Sequence, residues 1–234
     1  MGDRHGETVC CAGITENGQW RRQYPVRFRH LETKFKRWQW IEYDWVRPRD
    51  DHRPESRRVQ ERTIVLGDTV PHSRRARFLD PVIVKSTDVA AEKGQTLALI
   101  RPQEVRFHFK KKTSEEIEME RTAYANAAKQ MSFFDAELKA LQPCPYFFKF
   151  HYQTEDGKGH TATCEDWETA AMFYRFEKKF GEDEALRIMK KRFNEDYPAK
   201  GMAFAMGTHS RRHSQWLLVG IIRLDHTAQM AMPL

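Results

Sequence analysis

The chain has 234 residues, 40% hydrophobic and 12% aromatic, with a formal net charge of +7. That length suits one large domain or two small ones, and no apolar run approaches the roughly 20 residues of a membrane helix, which excludes a helical span. The charge is lopsided: residues 1–112 hold 24 Lys and Arg against 15 Asp and Glu, while residues 113–234 hold 16 against 18.

Taken in chain order, Met1-Gly2-Asp3-Arg4-His5 lacks the apolar run of a secretory leader. Residues 7–14 are apolar and β-leaning, and Asn17-Gly18 follows as a strong hairpin signal. Residues 19–29 alternate in part, with Trp20, Val26 and Phe28 on one parity and Arg21, Arg27 and Arg29 on the other. A half-buried strand sends the first set to the core and the arginines to solvent. Residues 35–47 read as a further strand, rich in tryptophan. Residues 47–58, polar and carrying Pro48 and Pro54, read as a loop. Between 61 and 112, short strands are expected around Thr63–Leu66, Ala98–Ile100 and Val105–Phe109, with a β-leaning piece at 80–85. Several short strands at close spacing suggest a small barrel.

The composition changes at Thr113-Ser114-Glu115-Glu116, a capped and acidic helix start. The helix is expected to run to about Leu141, where Pro143-Cys144-Pro145 follows. The remainder reads β-α-α-β-β: a strand at 146–152, a turn around Asp156-Gly157, helices over 165–180 and 182–193, and strands over 202–206 and 215–224. Apolar spacing selects Trp167, Ala170, Ala171 and Tyr174 for the first helix, and Ala185, Ile188, Met189 and Phe193 for the second. The expected fold is therefore α+β. It has a basic, OB-like small β-barrel at 1–112, a linking helix at 113–142 and an α+β domain at 143–234.

A one-sided basic field attracts phosphate polyanions. Arg21, Arg22, Arg27, Arg29, Lys36 and Arg37 lie among Trp20, Tyr24, Phe28, Phe35, Trp38 and Trp40. Arginine contacts phosphate, and an exposed ring stacks on a base for roughly 1–3 kcal/mol. The run 47–58 adds Arg47, Arg49, Arg53, Arg57 and Arg58, and two further clusters lie at Arg74, Arg75, Arg77 and at Lys110, Lys111, Lys112. Weighed against this, strand tryptophans are usually core and charged clusters are usually solvated faces.

A second constellation is His160, Cys164, Glu165, Asp166 and Glu168, with His209 and His213 in a later hairpin. A histidine beside carboxylates and a thiol suits a metal, and His160, Asp166 and Glu168 are the candidate ligands of a metal-dependent nuclease or nucleotide-processing enzyme. The competing explanation for Glu165 and Asp166 is plain electrostatics at a helix N-terminus. Cys10, Cys11, Cys144 and Cys164 form no C-x-x-C pair, which fits reduced thiols in a cytoplasmic protein. The phosphate-loop, dinucleotide, zinc-protease and hydrolase-elbow motifs are absent. No catalytic residue and no cofactor follow from the sequence.

The segment Cys10-Cys11-Ala12-Gly13, followed by Trp20-Arg21-Arg22-Gln23-Tyr24-Pro25, is similar to the first strands of dual OB-containing domains of bacterial proteins. There a Cys-x-Ala-Gly strand precedes Trp-x-Arg-x-x-Pro. The likeness covers about 20 residues and departs from the pattern in its Arg27-Phe28-Arg29 continuation. It implies nucleic-acid binding in genome-conflict settings, with Trp20, Arg21 and Arg22 near a binding face. The expectation is a non-catalytic accessory or recognition subunit that binds DNA or RNA, within a larger protein assembly and off the membrane. A third role, a protein-interaction scaffold, would use the helix at 113–141 as its docking face.

Overall fold

The structure, a computed structural model, describes residues 9–27, 31, 34–132, 142–209, 212 and 214–225. The chain opens with strands β1 (Val9–Ile14), β2 (Trp20–Val26), β3 (Gln39–Glu42), β4 (Trp45–Val46), β5 (Ser56–Val59) and β6 (Val65–Thr69). Helix α1 (His72–Leu79), strand β7 (Ile83–Val84), helix α2 (Thr87–Glu92), strands β8 (Leu97–Ile100) and β9 (Gln103–Lys111), and helix α3 (Ser114–Ser132) follow. The last part runs β10 (Tyr146–Gln153), β11 (Gly159–Thr163), α4 (Trp167–Phe180), α5 (Glu182–Lys191), a π-helical turn at Arg192–Asp196, α6 (Tyr197–Ala199), β12 (Met202–Thr208) and β13 (Trp216–Arg223). No helix among the described residues is long and apolar enough to cross a membrane.

The fold is mixed α+β and divides into two compact units, one of Met1–Val70 with Lys111–Pro145, the other of Pro71–Lys110 with Tyr146–Leu234. In the first unit, β1 and β2 form the expected hairpin, turning at Gly18 with φ +73°. Glycine reaches that region without a Cβ penalty. The chain then returns β5 parallel to β2, and β4 pairs antiparallel with β5, giving the order β1-β2-β5-β4. β3 and β6 make a separate two-stranded sheet. No sheet among the described residues closes into a barrel, so the expected OB-like barrel is not confirmed.

Two readings of this region change for the same reason. The run 35–47 is two strands in two sheets, because the chain breaks pairing at Tyr43 and Asp44. The run 47–58 is not all loop: Arg57 and Arg58 are strand residues in register with Gln23 and Tyr24. Neither switch shows in polarity, since β5 is a polar strand recruited by its partner. Helix α3 begins with a full capping box. The Thr113 hydroxyl accepts the Glu116 N–H at 3.2 Å, and the Glu116 carboxylate accepts the Thr113 N–H at 2.8 Å. The expected continuation of this helix over 133–141 lies outside the described residues.

The second unit explains why strands expected in the N-terminal barrel leave it. Leu97-Ala98-Leu99-Ile100 is buried at every position. A strand buried on both faces sits inside a sheet rather than at a half-solvated edge, and β8 is hydrogen-bonded between β7 and β12 in the sheet β13-β12-β8-β7. β9 likewise pairs with β10 in the sheet β11-β10-β9. One bridge between Cys164 and Leu218 links the edges of these two sheets. The helices α1 and α2 have no counterpart in the sequence reading. α2 is short but capped, the Ser86 hydroxyl accepting the Val89 N–H at 3.4 Å.

β10 alternates as expected of a half-buried strand: Tyr146, Phe148, Phe150 and Tyr152 face inward, Lys149 and His151 outward. The inward rings meet Phe107, Phe193 and Phe204. Phe107 lies 5.1 Å from Phe150 and 5.1 Å from Phe193, and Phe150 lies 5.3 Å from Phe204, centroid to centroid. Such pairs contribute about 0.5–1.5 kcal/mol each beyond area burial. α5 presents Ala185, Met189 and the following Phe193 as expected, with Leu186 added. α4 is rotated from its expected face. Thr169 and Phe173 are buried, while Trp167 is 63% exposed.

Candidate nucleic-acid interface

The candidate side chains of the first unit are not equivalent. β2 is an interior strand, flanked by β1 and β5, so its alternation fails and Trp20, Arg22 and Gln23 are all buried. Trp20, 7% exposed, is a core indole and has no face for a base. Arg22 is held among Cys10, Arg53 and Glu55, and burial above all lowers its affinity for the proton. Arg27 is exposed, but Glu61 takes its backbone N–H and, at 2.7 Å, its Nε. Lys36 and Arg37 are exposed beside a turn, where Trp38 is half-buried with φ +71° and its carbonyl accepts the Val70 N–H at 2.7 Å. Arg29 lies outside the described residues.

What the fold does bring together is a corner around β4 and β5. β4 is two residues long, ends before Arg47-Pro48 and lies at the sheet edge, where proline is tolerated. An edge position leaves Trp45 46% exposed and Val46 49% exposed. The neighbouring strand carries Arg57, whose guanidinium carbon lies 4.2 Å from the Trp45 ring centroid. Arg57 Nη1 donates to the carbonyls of Pro54 and Ser56, both at 2.8 Å, which anchors the guanidinium to the backbone beside the indole. Arg58 is exposed and in register with Val46, on the opposite face of the strand from Arg57.

Arg21, on β2, adds a second cation. Its Nη1 donates to the Trp20 carbonyl at 2.9 Å and its Nη2 to Gln19 Oε1 at 2.7 Å. Neither contact neutralises the charge. Burial first, then the nearby charges of Arg21 and Arg47, hold the Arg57 guanidinium below its ordinary value. Tyr43 lies in the same field. Burial pushes its hydroxyl up, while Gln23, Arg21 and Arg57 pull it down. Among the described residues, the cations of this corner, Arg21, Arg47 and Arg57, make no ion pair with a carboxylate. The corner therefore joins several cations to one exposed indole. Trp45, one of the tryptophans of the run 35–47, and Tyr43 are not among the site residues named from the sequence, although a signal existed: Trp45 stands just before Val46-Arg47-Pro48, at a strand end.

The second constellation does not assemble. The His160 ring stacks on Tyr152 with centroids 5.4 Å apart, and its Nε2 lies 3.0 Å from the Thr154 hydroxyl. Asp166 is buried and caps α4, accepting the Glu168 N–H at 3.1 Å and the Ile221 N–H at 3.1 Å. Glu168 is exposed. Burial chiefly pushes the Cys164 thiol up to about 12, which disfavours a thiolate ligand. His209 Nδ1 accepts the Arg212 N–H at 3.2 Å, and His213 lies outside the described residues. Among the described residues no group of three or more His, Cys, Asp or Glu is placed to hold a metal ion.

Two family models match the chain. Residues 1–81 match one described as Domain of unknown function (DUF8758), and residues 83–232, more than half of the chain, match one described as Domain of unknown function (DUF8757). No curated protein and no solved structure matches.

Proposed function

We propose that this chain, which belongs to the DUF8757 family through residues 83–232, binds single-stranded nucleic acid as a cytoplasmic recognition or accessory subunit without chemistry of its own. One observation carries the reading: the exposed Trp45 indole lies against the Arg57 guanidinium, beside arginines that make no ion pair among the described residues. An indole face accepts an unpaired base, and flanking arginines accept the phosphates on either side. A duplex hides its base faces, so the single strand is the fitting ligand.

The test is binding of a fluorescently labelled single-stranded oligonucleotide, followed by anisotropy at several salt concentrations. Trp45→Ala should weaken binding about tenfold, within the roughly 1–3 kcal/mol of one stacked base. Arg57→Gln should weaken it and flatten the salt dependence by about 0.7 per lost phosphate contact. Wild-type binding that is absent at low salt, or unaltered in both variants, overturns the reading and leaves Arg57 as protection of an exposed sheet edge.

A further inference from the structure

The sheet β11-β10-β9 lies in the other unit and turns one face to solvent. Alternation along β9 buries Val105 and Phe107 and exposes Glu104, Arg106, His108 and Lys110. Alternation along β10 exposes Lys149 and His151. The two histidines meet across the strands, ring centroids 4.4 Å apart. The one acid among these outward positions, Glu104, accepts a hydrogen bond from Gln153 at 2.8 Å at the far end of the strand. Solvent-facing strands normally mix signs, because like charges on neighbouring strands repel. Here Arg106, Lys110 and Lys149 share one face with two groups that become cations on protonation, and none of the three makes an ion pair among the described residues.

We infer that this face is a second, separate contact surface for the phosphate backbone of nucleic acid, formed by Arg106, Lys110 and Lys149 and strengthened in acid by His108. The choice of ligand rests on the proposed function, whereas the surface is independent of Trp45. A pleated face places side chains two residues apart at roughly 6.5–7 Å along each strand, so an extended polyanion can meet several cations at once. The groups facing the histidine pair are Arg106 and Lys110 along β9, Lys149 on β10 and Lys190 from α5. Burial first, then His151, Lys190 and Arg106, hold the His108 imidazole below its ordinary value. A bound phosphate opposes those three charges and raises it. Binding therefore takes up protons, and affinity increases as pH falls.

The experiment measures anisotropy of the full-length chain with the same labelled single strand. It compares wild type, the triple variant Arg106→Gln, Lys110→Gln, Lys149→Gln, and the pair His108→Gln, His151→Gln. The triple variant should bind about tenfold more weakly at moderate salt and lose about 2 from the slope of log affinity against log salt. The wild type should gain affinity between pH 7.5 and pH 6, and the histidine pair should gain less. A triple variant with unchanged affinity and slope overturns the inference, as does wild-type binding to anionic phosphatidylglycerol vesicles in place of the oligonucleotide. Should the triple variant melt early, Lys149→Gln alone is read by the same slope. A triple variant that fails beside a Trp45→Ala protein that binds normally sustains this surface and removes the other. The reverse pattern does the opposite.

Discussion

Asp166 accepts the backbone N–H of Ile221 at 3.1 Å across 55 residues of sequence while its other carboxylate oxygen accepts the Glu168 N–H. One buried side chain thus caps α4 and satisfies a strand of the four-stranded sheet. Asp166→Ala removes a cap worth about 1 kcal/mol and orphans a buried donor at about 1–3 kcal/mol. The expected loss in urea unfolding is about 2–4 kcal/mol. Asp166→Asn, which keeps one acceptor oxygen, should lose less. Chelator added to the wild type should leave its melting temperature unchanged, a result that separates capping from metal binding.

This residue also shows how far the sequence could be read. The acids at 165–168 signalled a helix start, and the helix is there, because capping is local chemistry. The α+β class, the Asn17-Gly18 hairpin and the strand at 146–152 were legible for the same reason: each depends on a few neighbouring residues. The partner of a strand is not local. Nothing in Arg57-Arg58 says that they join β2, and nothing in Leu97–Ile100 says that the pairing partner is β12. The candidate interface failed in sequence on that point. Trp20 and Trp45 look alike as letters, and only their places, interior strand against sheet edge, decide which one is buried.

The edge of β9 is sealed in a similar long-range manner. The Asn194 carboxamide oxygen, in the π-helical turn, accepts the Phe107 N–H at 2.7 Å across 87 residues. Asn194→Ala should cost about 1–3 kcal/mol, the penalty for a buried donor left unmade. Phe107→Ala should cost about 3–5 kcal/mol, since it opens a cavity among four rings. Chemical denaturation of each variant checks both, and equal small losses would contradict the packing described.

Asp51 organises the turn before β5. Burial opposes its ionisation, yet hydrogen bonds from Arg53 and Ser56 outweigh it and bring the carboxyl to about 2 from an ordinary 3.8. A depressed carboxylate adds stability that is complete above the unfolded value and is lost as pH falls through the folded one. Asp51→Asn should therefore destabilise by about 2 kcal/mol at pH 7 and by much less near pH 2. Urea midpoints at the two pH values measure the difference. A penalty independent of pH would remove the ionic role.

His108 gives the opposite sign. Its folded value lies below the ordinary 6.5 through burial and the charges of His151, Lys190 and Arg106. The unfolded chain then binds more protons than the folded chain between the two values, so stability falls as pH drops through 6.5 and levels off below the folded value. His108→Gln should remove that part of the acid loss and leave stability at pH 8 nearly unchanged, because the side chain is exposed and neutral there. Urea midpoints of wild type and variant at pH 8 and pH 5 decide it. The variant should lose less between the two, and parallel losses would show that the imidazole carries no repulsion in the folded state. The same repulsion is what an incoming phosphate would relieve, so the variant that gains acid stability should also lose acid-enhanced binding.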